Sequence, residues 1–337
     1  MSHAGEPVQF DIVGIGNAIV DVLSPAEEAF INAHGLVKGS MTLIDEVVAD
    51  AMYAQMGPAV EVSGGSCANT IAAAAALGSR VAYIGKVADD QLGEIFRHDL
   101  SSVGVHFDTP PSTDGPSTAR CLVLVTPDAQ RTMATYLGAC VELGPEDIDI
   151  ELVAAASFVY LEGYLWDQPR AKQALRDAMT TAHHAGRKVA MTLSDPFCVA
   201  RHRAEFRELV AGPIDILFAN QLEAESLMEV TEVWEVVERL QGQCELVIVT
   251  RGDQGSLVVT PDAVYEVGPV HVPEVIDSTG AGDLFAAGFL YGLAQGWDLV
   301  PCARAGAAAA AEVISHFGAR PERDLGELVR IAIGEEI

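Results

Sequence analysis

The chain has 337 residues, half hydrophobic and a fifth charged, which is enough for one large α/β domain or a domain with a lid. Its 48 acids against 20 bases give a formal charge of −28, which argues against nucleic-acid and anionic-membrane partners, since both need clustered Lys and Arg. The six cysteines (Cys67, Cys121, Cys140, Cys198, Cys244, Cys302) lack metal-like spacing, no apolar run reaches the roughly 18 residues of a bilayer span, and the N-terminus has no secretory pattern. A soluble cytoplasmic protein with its cysteines in the core is expected.

In chain order, "VQFDIVGIGN" reads as a buried strand ending in glycines. A helix over Asn69–Leu77, the strand "VAYIGKV" and a helix over Gln91–Val103 follow. After Ile150 the strands "FVYLEGY", "KVAMTLS", "DILFAN" and "ELVIVTRG" alternate with helical stretches at Ala171–Ala185, Arg203–Val210 and Glu223–Gln241. That is the βαβ rhythm of a mostly parallel sheet with helices on both faces. Helices over Ala281–Gln295, Leu299–Phe317 and Asp324–Ile333 close the chain, with alanine runs that suit close helix packing. Two segments, about 37–63 and about 112–141, show β-type alternation with Pro, Gly, Asp and Ser turns. They either pair as a small second sheet, a lid over one edge, or form two surface loops with short hairpins.

Two familiar phosphate devices are excluded first. No G-x-x-x-x-G-K-[ST] occurs, and "GIGNAI" has Ile19 where a dinucleotide fingerprint needs its third glycine. The stretch "VIDSTGAGDLFAAGFLYGL" (Val275–Leu293) supplies another device. A strand at Val275–Ile276 leads through Gly280, Ala281 and Gly282 into a helix, whose free N–H groups and dipole make an anion site. Asp283 is either a helix cap or, beside a bound phosphate, a base that takes the proton of an attacking hydroxyl. An ordinary aspartate is a weak base, but phosphoryl transfer mainly requires positioning and charge stabilisation.

Other short motifs end strands or open helices. Asn17 and Asp21 in "GIGNAIVD" could hold vicinal hydroxyls, and "VSGGSCANT" places glycines and Asn69 at a helix start, where Asn69 could also be a cap. "FANQLEAE" carries Asn220 and Glu223, a capping pattern that beside a phosphate loop suggests magnesium and its waters. "TRGDQGS" (Thr250–Ser256) follows a strand in the manner of a loop beside a nucleotide.

Together "GGSCAN", "NQLE" and "DSTGAGDLFAAGF" resemble the ribokinase-like (PfkB) family of carbohydrate and nucleoside kinases, over nearly the whole chain. The resemblance implies an α/β fold, a ribokinase-like three-layer α/β/α sandwich with a mostly parallel central sheet plus a small β-sheet lid. It implies one catalytic domain over residues 1–337, with the lid from about 37–63 and about 112–141. It also implies ATP-dependent phosphorylation of a primary hydroxyl, with Asp283 as base and the N–H groups of Gly280, Ala281, Gly282 and Asp283 as the anion hole. Asn220 and Glu223 would organise Mg²⁺ near the phosphates, Glu223 through water. Thr250, Gly252 and Gly255, with Arg304 and Ala307 on the late helix, would flank the ATP base, and K⁺ beside the anion loop is a further expectation.

Within the family the motifs are most similar to those of adenosine kinases: "GIGNAIVD", "GGSCANT", "LSDPF" and "CARAGAAAAAEVISHFGA". That resemblance implies Asn17 and Asp21 on the ribose hydroxyls, with Gly65, Ser66 and Asn69 supporting the sugar. Phe197 would lie near the purine, Tyr164 or Trp166 would add aromatic surface, and Arg131 would reach toward the transferred phosphate. The sequence departs from the pattern at Cys67, Ser278, Thr279 and Ala307, which bears on the acceptor more than on the chemistry; Thr279 is carried as a substrate-side residue. The leading expectation is transfer of the γ-phosphoryl group of ATP to the 5′-hydroxyl of a ribonucleoside, adenosine foremost, giving AMP. A sugar kinase acting on ribose, fructose or a related sugar is the alternative. A nucleoside-binding module without catalysis is disfavoured by the intact Asp283 and glycines. Both a monomer and a homodimer fit the resemblance.

Overall fold

Residues 8–128 and 130–334 are described in the computed structural model. Residues 1–7, 129 and 335–337, which belong to the expected domain and, for 129, to its second lid segment, lie outside the described residues. The strands are β1 (Phe10–Ile15), β2 (Ile19–Pro25), β3 (Met41–Leu43), β4 (Val60–Gly64), β5 (Val81–Ile84), β6 (Ala119–Val125), β7 (Arg131–Tyr136), β8 (Ala156–Glu162), β9 (Lys188–Thr192), β10 (Ile216–Asn220), β11 (Leu246–Thr250), β12 (Ser256–Val259) and β13 (Val264–Val267).

Eight of them form a central sheet in the order β13-β12-β11-β10-β9-β8-β1-β5. From β5 to β11 every pairing is parallel, and β12 and β13 add an antiparallel edge. Both faces are buried, which is why these strands read as unbroken apolar runs. Along β8, Phe158 and Tyr160 pack into one helical layer while Val159 and Leu161 pack into the other; β10 repeats this with Ile216 and Phe218 against Leu217 and Ala219. Helices Ser66–Ala76, Ala281–Ala294 and Leu299–Val313 cover the first face, and helices Pro169–His184, Pro196–Val210 and Val233–Leu240 the second. The alanine-rich helices do pack closely: a Cβ on Gly288 would stand 2.6 Å from the Ala305 carbonyl oxygen.

A second, five-stranded sheet runs β3-β7-β6-β2-β4. Four of its strands lie in the two segments singled out by their turn-rich alternation. The fifth, β2, follows the strand "VQFDIVGIGN" after a three-residue turn and is not marked in the sequence as a strand of its own. The chain leaves the central sheet after Ile15, turns within Gly16–Ala18, and enters the small sheet, where Asp21 pairs with Val62 on β4 and Cys121 on β6. Period-two alternation buries Val20 and Val22 and turns Ile19, Asp21 and Leu23 toward a cavity beneath the sheet.

Other differences are local. The helix expected from Asn69 begins at Ser66, because Gly65 takes a positive φ of 95° as its N-cap. The stretch Glu223–Gln241 is two helices, Gln221–Met228 and Val233–Leu240, parted by Glu229 in the left-handed region. Val275 and Ile276 are not a strand; the Ile276 N–H donates to the Ile314 carbonyl at 2.8 Å, at the end of a helix rather than in a sheet.

Candidate active site

The carboxyl ends of β1 and β8 open into a cavity of about 720 Å³ roofed by the small sheet. This is the end of a parallel sheet at which ligands bind. Asn17, Asp21, Gly65, Ser66, Asn69 and Glu162 line its polar end. Leu23, Val60, Val62, Val123, Met133 and Phe197 supply apolar wall. A second cavity of about 470 Å³ lies between Thr250, Gly252 and Gly255 on one side and Ala307, Ala310 and Ile314 on the other. The two adjoin at one short segment: Thr279 and Asp283 line the first cavity, and Ser278, Ala281 and Gly282 line the second.

That segment is built to present backbone. Gly280 is in the left-handed region (φ 79°), and a Cβ there would come 2.9 Å from Ala319 Cβ. It caps the helix Ala281–Ala294 with no side-chain hydrogen bond; the Ala281 N–H donates to the Ser278 carbonyl at 3.3 Å, and the N–H groups of Gly282 and Asp283 are left for a ligand. Asp277 holds the turn. It accepts from Thr279 N (3.1 Å), Thr279 Oγ1 (2.8 Å) and Gly318 N (3.0 Å), and it pairs with Arg131 at 2.8 Å. The Arg131 guanidinium lies over the Phe317 ring, while its buried Nε and Nη2 have no hydrogen-bond partner among the described residues. Such orphaned donors suit an anionic ligand.

Asp283 does not cap its own helix. Its Oδ1 accepts from Ser66 Oγ at 2.6 Å and its Oδ2 from Asn69 Nδ2 at 3.0 Å. Both donors sit in the first turn of the Ser66–Ala76 helix, whose entry depends on Gly65: a Cβ there would stand 2.4 Å from the Asn17 carbonyl oxygen. Burial raises the Asp283 pKa, and the Ser66 and Asn69 hydrogen bonds with the Arg320 charge work against that rise. Asp21 is pushed up to about 6 by burial, opposed by Arg320 and Arg131. Glu162, at the end of β8, accepts from Asn17 Nδ2 (2.7 Å) and Cys67 N (3.0 Å), and burial pushes it up to about 7.

A family model described as pfkB family carbohydrate kinase matches residues 40–324. The chain belongs to the PfkB family. It is therefore a phosphotransferase that acts on a hydroxyl group, of a family that uses ATP. Its structure is similar to that of the adenosine kinase from Sinorhizobium meliloti, with a TM-score of 0.89 and 50% identity over 96% of this chain and 100% of that one. It is equally similar to a probable sugar kinase from Rhizobium etli, with a TM-score of 0.90 and 47% identity over 96% and 99%. A curated relative, the ATP-dependent ribose-1-phosphate kinase of Halopiger xanaduensis, is 34% identical over 67% of this chain and 72% of its own length.

In this PfkB kinase most of the residues singled out in the sequence come together. Asn17, Asp21, Gly65, Ser66, Asn69, Arg131, Tyr164, Phe197, Thr279 and Asp283 line the first cavity, and Thr250, Gly252, Gly255, Ala281, Gly282 and Ala307 the second. Five are in neither lining: Gly280, which shapes the turn between the cavities, and Arg304, Asn220, Glu223 and Trp166. Arg304 is on the exposed side of its helix, a turn before Ala307, and is in neither lining. Asn220 and Glu223 form a capping box outside both cavities. Asn220 Oδ1 accepts from Glu223 N (2.9 Å), while the Glu223 carboxylate accepts from Asn220 N (2.9 Å) and Nδ2 (2.6 Å). Of the two aromatic residues offered after β8, Tyr164 reaches the cavity. Trp166 is core, its Nε1 donating to Glu205 at 3.0 Å.

Asp277, Glu162 and Arg320 were not singled out. Asp277 stood in the quoted motif as its first acid, and Glu162 ended a strand already read as parallel, where a carboxylate at the sheet's carboxyl edge is itself a signal. Arg320 gave none. Its partners, Ser63 and Ala68, are more than 250 residues away in the chain.

Proposed function

We propose that this kinase transfers the γ-phosphoryl group of ATP to the 5′-hydroxyl of a ribonucleoside, adenosine foremost. The observation that carries the reading is the meeting of two cavities at one turn, with a carboxylate on one side and free helix N–H groups on the other. The acceptor occupies the first cavity and ATP, as co-substrate, the second.

Asn17 and Asp21 hold the vicinal hydroxyls, and Gly65 lets the backbone approach the sugar. Asp283, positioned by Ser66 and Asn69, takes the proton as the acceptor oxygen bonds to the γ-phosphorus. The bond from that phosphorus to the bridging oxygen of ADP breaks. The N–H groups after Gly280 and the free donors of Arg131 stabilise charge on the transferring group. A pKa raised by burial makes Asp283 a better base than an exposed aspartate, and its two hydrogen bonds work in favour of the charged form.

Magnesium neutralises phosphate charge in such transfers. Among the described residues no cluster of acidic, Cys or His side chains could hold it, and both oxygens of Glu223, which lies outside the two cavities, are hydrogen-bonded within the capping box; the ion would be held by phosphates and water, with Glu223 at most a partner of that water. Potassium activation belongs to the proposal on the family resemblance alone. The small sheet acts as a lid of the single domain, excluding water from ATP as it closes. Met41, Leu43 and Val60, exposed at the cavity mouth, are surfaces that closure would cover.

The apolar wall favours a nucleoside over a free sugar. Pockets for compact organic ligands run to about 300–1,000 Å³, and this one extends well beyond the polar end that a pentose needs. Phe197, 77% exposed at its edge, offers a ring face to a base. The second reading is a sugar kinase, favoured by a diol site that would serve any sugar and by the ribose-1-phosphate kinase relative. A phosphorylation panel with MgATP against adenosine, guanosine, inosine, ribose, fructose and ribose-1-phosphate separates the two. Turnover of adenosine far above the sugars is expected; turnover of sugars alone would overturn the reading.

A further inference from the structure

Arg320 sits in the segment that joins the helices Leu299–Val313 and Leu325–Ile333, and it lines the first cavity. Among the described residues its guanidinium makes no hydrogen bond to a carboxylate. Nη2 donates to Ser63 O and Ser63 Oγ, both at 2.7 Å, and Nη1 to Ala68 O at 3.1 Å. Ser63 is on β4 of the small sheet and passes its own N–H and hydroxyl to Asp99. Ala68 is in the turn of helix that carries Ser66 and Asn69. One cation is thus pinned by neutral acceptors on two elements, in the wall of the cavity that Asp21 and Asp283 also line.

We infer that Arg320 is a positioning residue for the phosphoryl transfer: it fixes the entry of the Ser66–Ala76 helix against the small sheet and keeps the acidic groups of the acceptor site ionised. This rests on the reading of Asp283 as base and Asp21 as acceptor ligand. The charged groups that face Asp283 and Asp21 support it. Arg320, Arg131, Asp283 and Cys121 face Asp21; Ser66, Asn69 and Arg320 face Asp283; Glu162, Glu223, Cys67 and Tyr160 lie close enough to feel the Asp283 charge; and Asp99 and Tyr83 complete the surroundings of Arg320. Arg131 is already paired with Asp277, whereas Arg320 has no ion-pair contact of its own among the described residues and shares its charge among Asp99, which it meets through Ser63, and then Asp21 and Asp283. A neighbouring cation shifts a carboxylate by about 1–3 pKa units when it is within a few ångströms.

The test is the pH profile of kcat/KM for the best acceptor in wild type, Arg320→Gln, Arg320→Lys and Asp283→Asn. The acid limb of Arg320→Gln is expected to move up by about one pH unit, with turnover approaching wild type at high pH, and Arg320→Lys is expected to restore the limb. A purely structural arginine would instead lower turnover evenly at every pH. A limb that stays in place in a folded Arg320→Gln overturns the inference. Should that variant not fold, Ser63→Ala, which keeps the cation but removes its hydroxyl anchor, is expected to move the limb in the same direction by less; an unmoved limb contradicts the inference there too. Asp283→Asn separates the two ideas. If it is inactive while the Arg320 profiles stay in place, the inference about Arg320 fails and the base assignment stands. If it is active, the underlying reading fails.

Discussion

Replacing Asp277 by Asn is expected to loosen the turn on which both cavities depend. Asp277 and Arg131 are 2.8 Å apart, with side chains only 6% and 10% exposed. At an effective dielectric of about 20, unit charges at that separation attract by about 6 kcal/mol before the cost of desolvating both is subtracted. Deleting one charge of such a pair strands the other, which costs about 3–5 kcal/mol. The amide can still accept at one oxygen from Thr279, but its NH₂ would then face the Arg131 guanidinium and the Gly318 N–H. A loss of about 3 kcal/mol is therefore expected for Asp277→Asn by urea unfolding. With Arg131→Met and the double variant, the cycle should give a coupling of at least about 1.5 kcal/mol. A single-variant loss under about 1 kcal/mol with no coupling would refute the idea that this pair holds the turn.

Gly65→Ala would drive a methyl to 2.4 Å from the Asn17 carbonyl oxygen in a backbone with φ 95°, and a loss of more than about 2 kcal/mol in thermal or urea unfolding is expected. Near-neutral stability would mean the approach to Asn17 is not tight. Glu162 has a folded pKa of about 7 against 4.5 ordinarily, so the folded state binds more protons than the unfolded state as pH rises from about 4.5 to about 7. Its contribution to stability therefore falls across that window, and Glu162→Gln should flatten the decline relative to wild type; an identical slope in both would contradict a buried, proton-holding carboxyl. Phe197→Ala should raise KM for adenosine about 10-fold with little change in kcat, because a ring at the cavity edge binds ground state and transition state alike. An unchanged KM would remove Phe197 from the acceptor site.

The central sheet was legible because its strands are buried on both faces, so that "FVYLEGY" and "DILFAN" read as strands wherever they were met. The motif "DSTGAGD" was legible because its glycines and acids, which meet both cavities, stand within seven residues. What failed were features that depend on distant parts of the chain. Nothing local marks that β2 leaves one sheet for another across Gly16–Ala18, and that crossing is what carries Asp21 over the cavity. Val275 and Ile276 have strand-like side chains, yet their place beside Ile314 is taken from the last turn of a helix. Arg304 and Arg320 show the same limit in opposite senses. The first lies in a recognisable helical motif but points outward, and the second lies in an unremarked loop but reaches Ser63 and Ala68.

The central claim is that Asp283 takes the proton of an acceptor hydroxyl, held in the first cavity, that receives phosphoryl from ATP in the second. Its most direct test is kcat with MgATP and adenosine for wild type and Asp283→Asn, with the adenosine Kd measured alongside. Wild-type turnover to AMP is expected, with a loss of orders of magnitude in kcat for Asp283→Asn and a Kd within a few-fold of wild type. Near-wild-type turnover in Asp283→Asn would contradict the account.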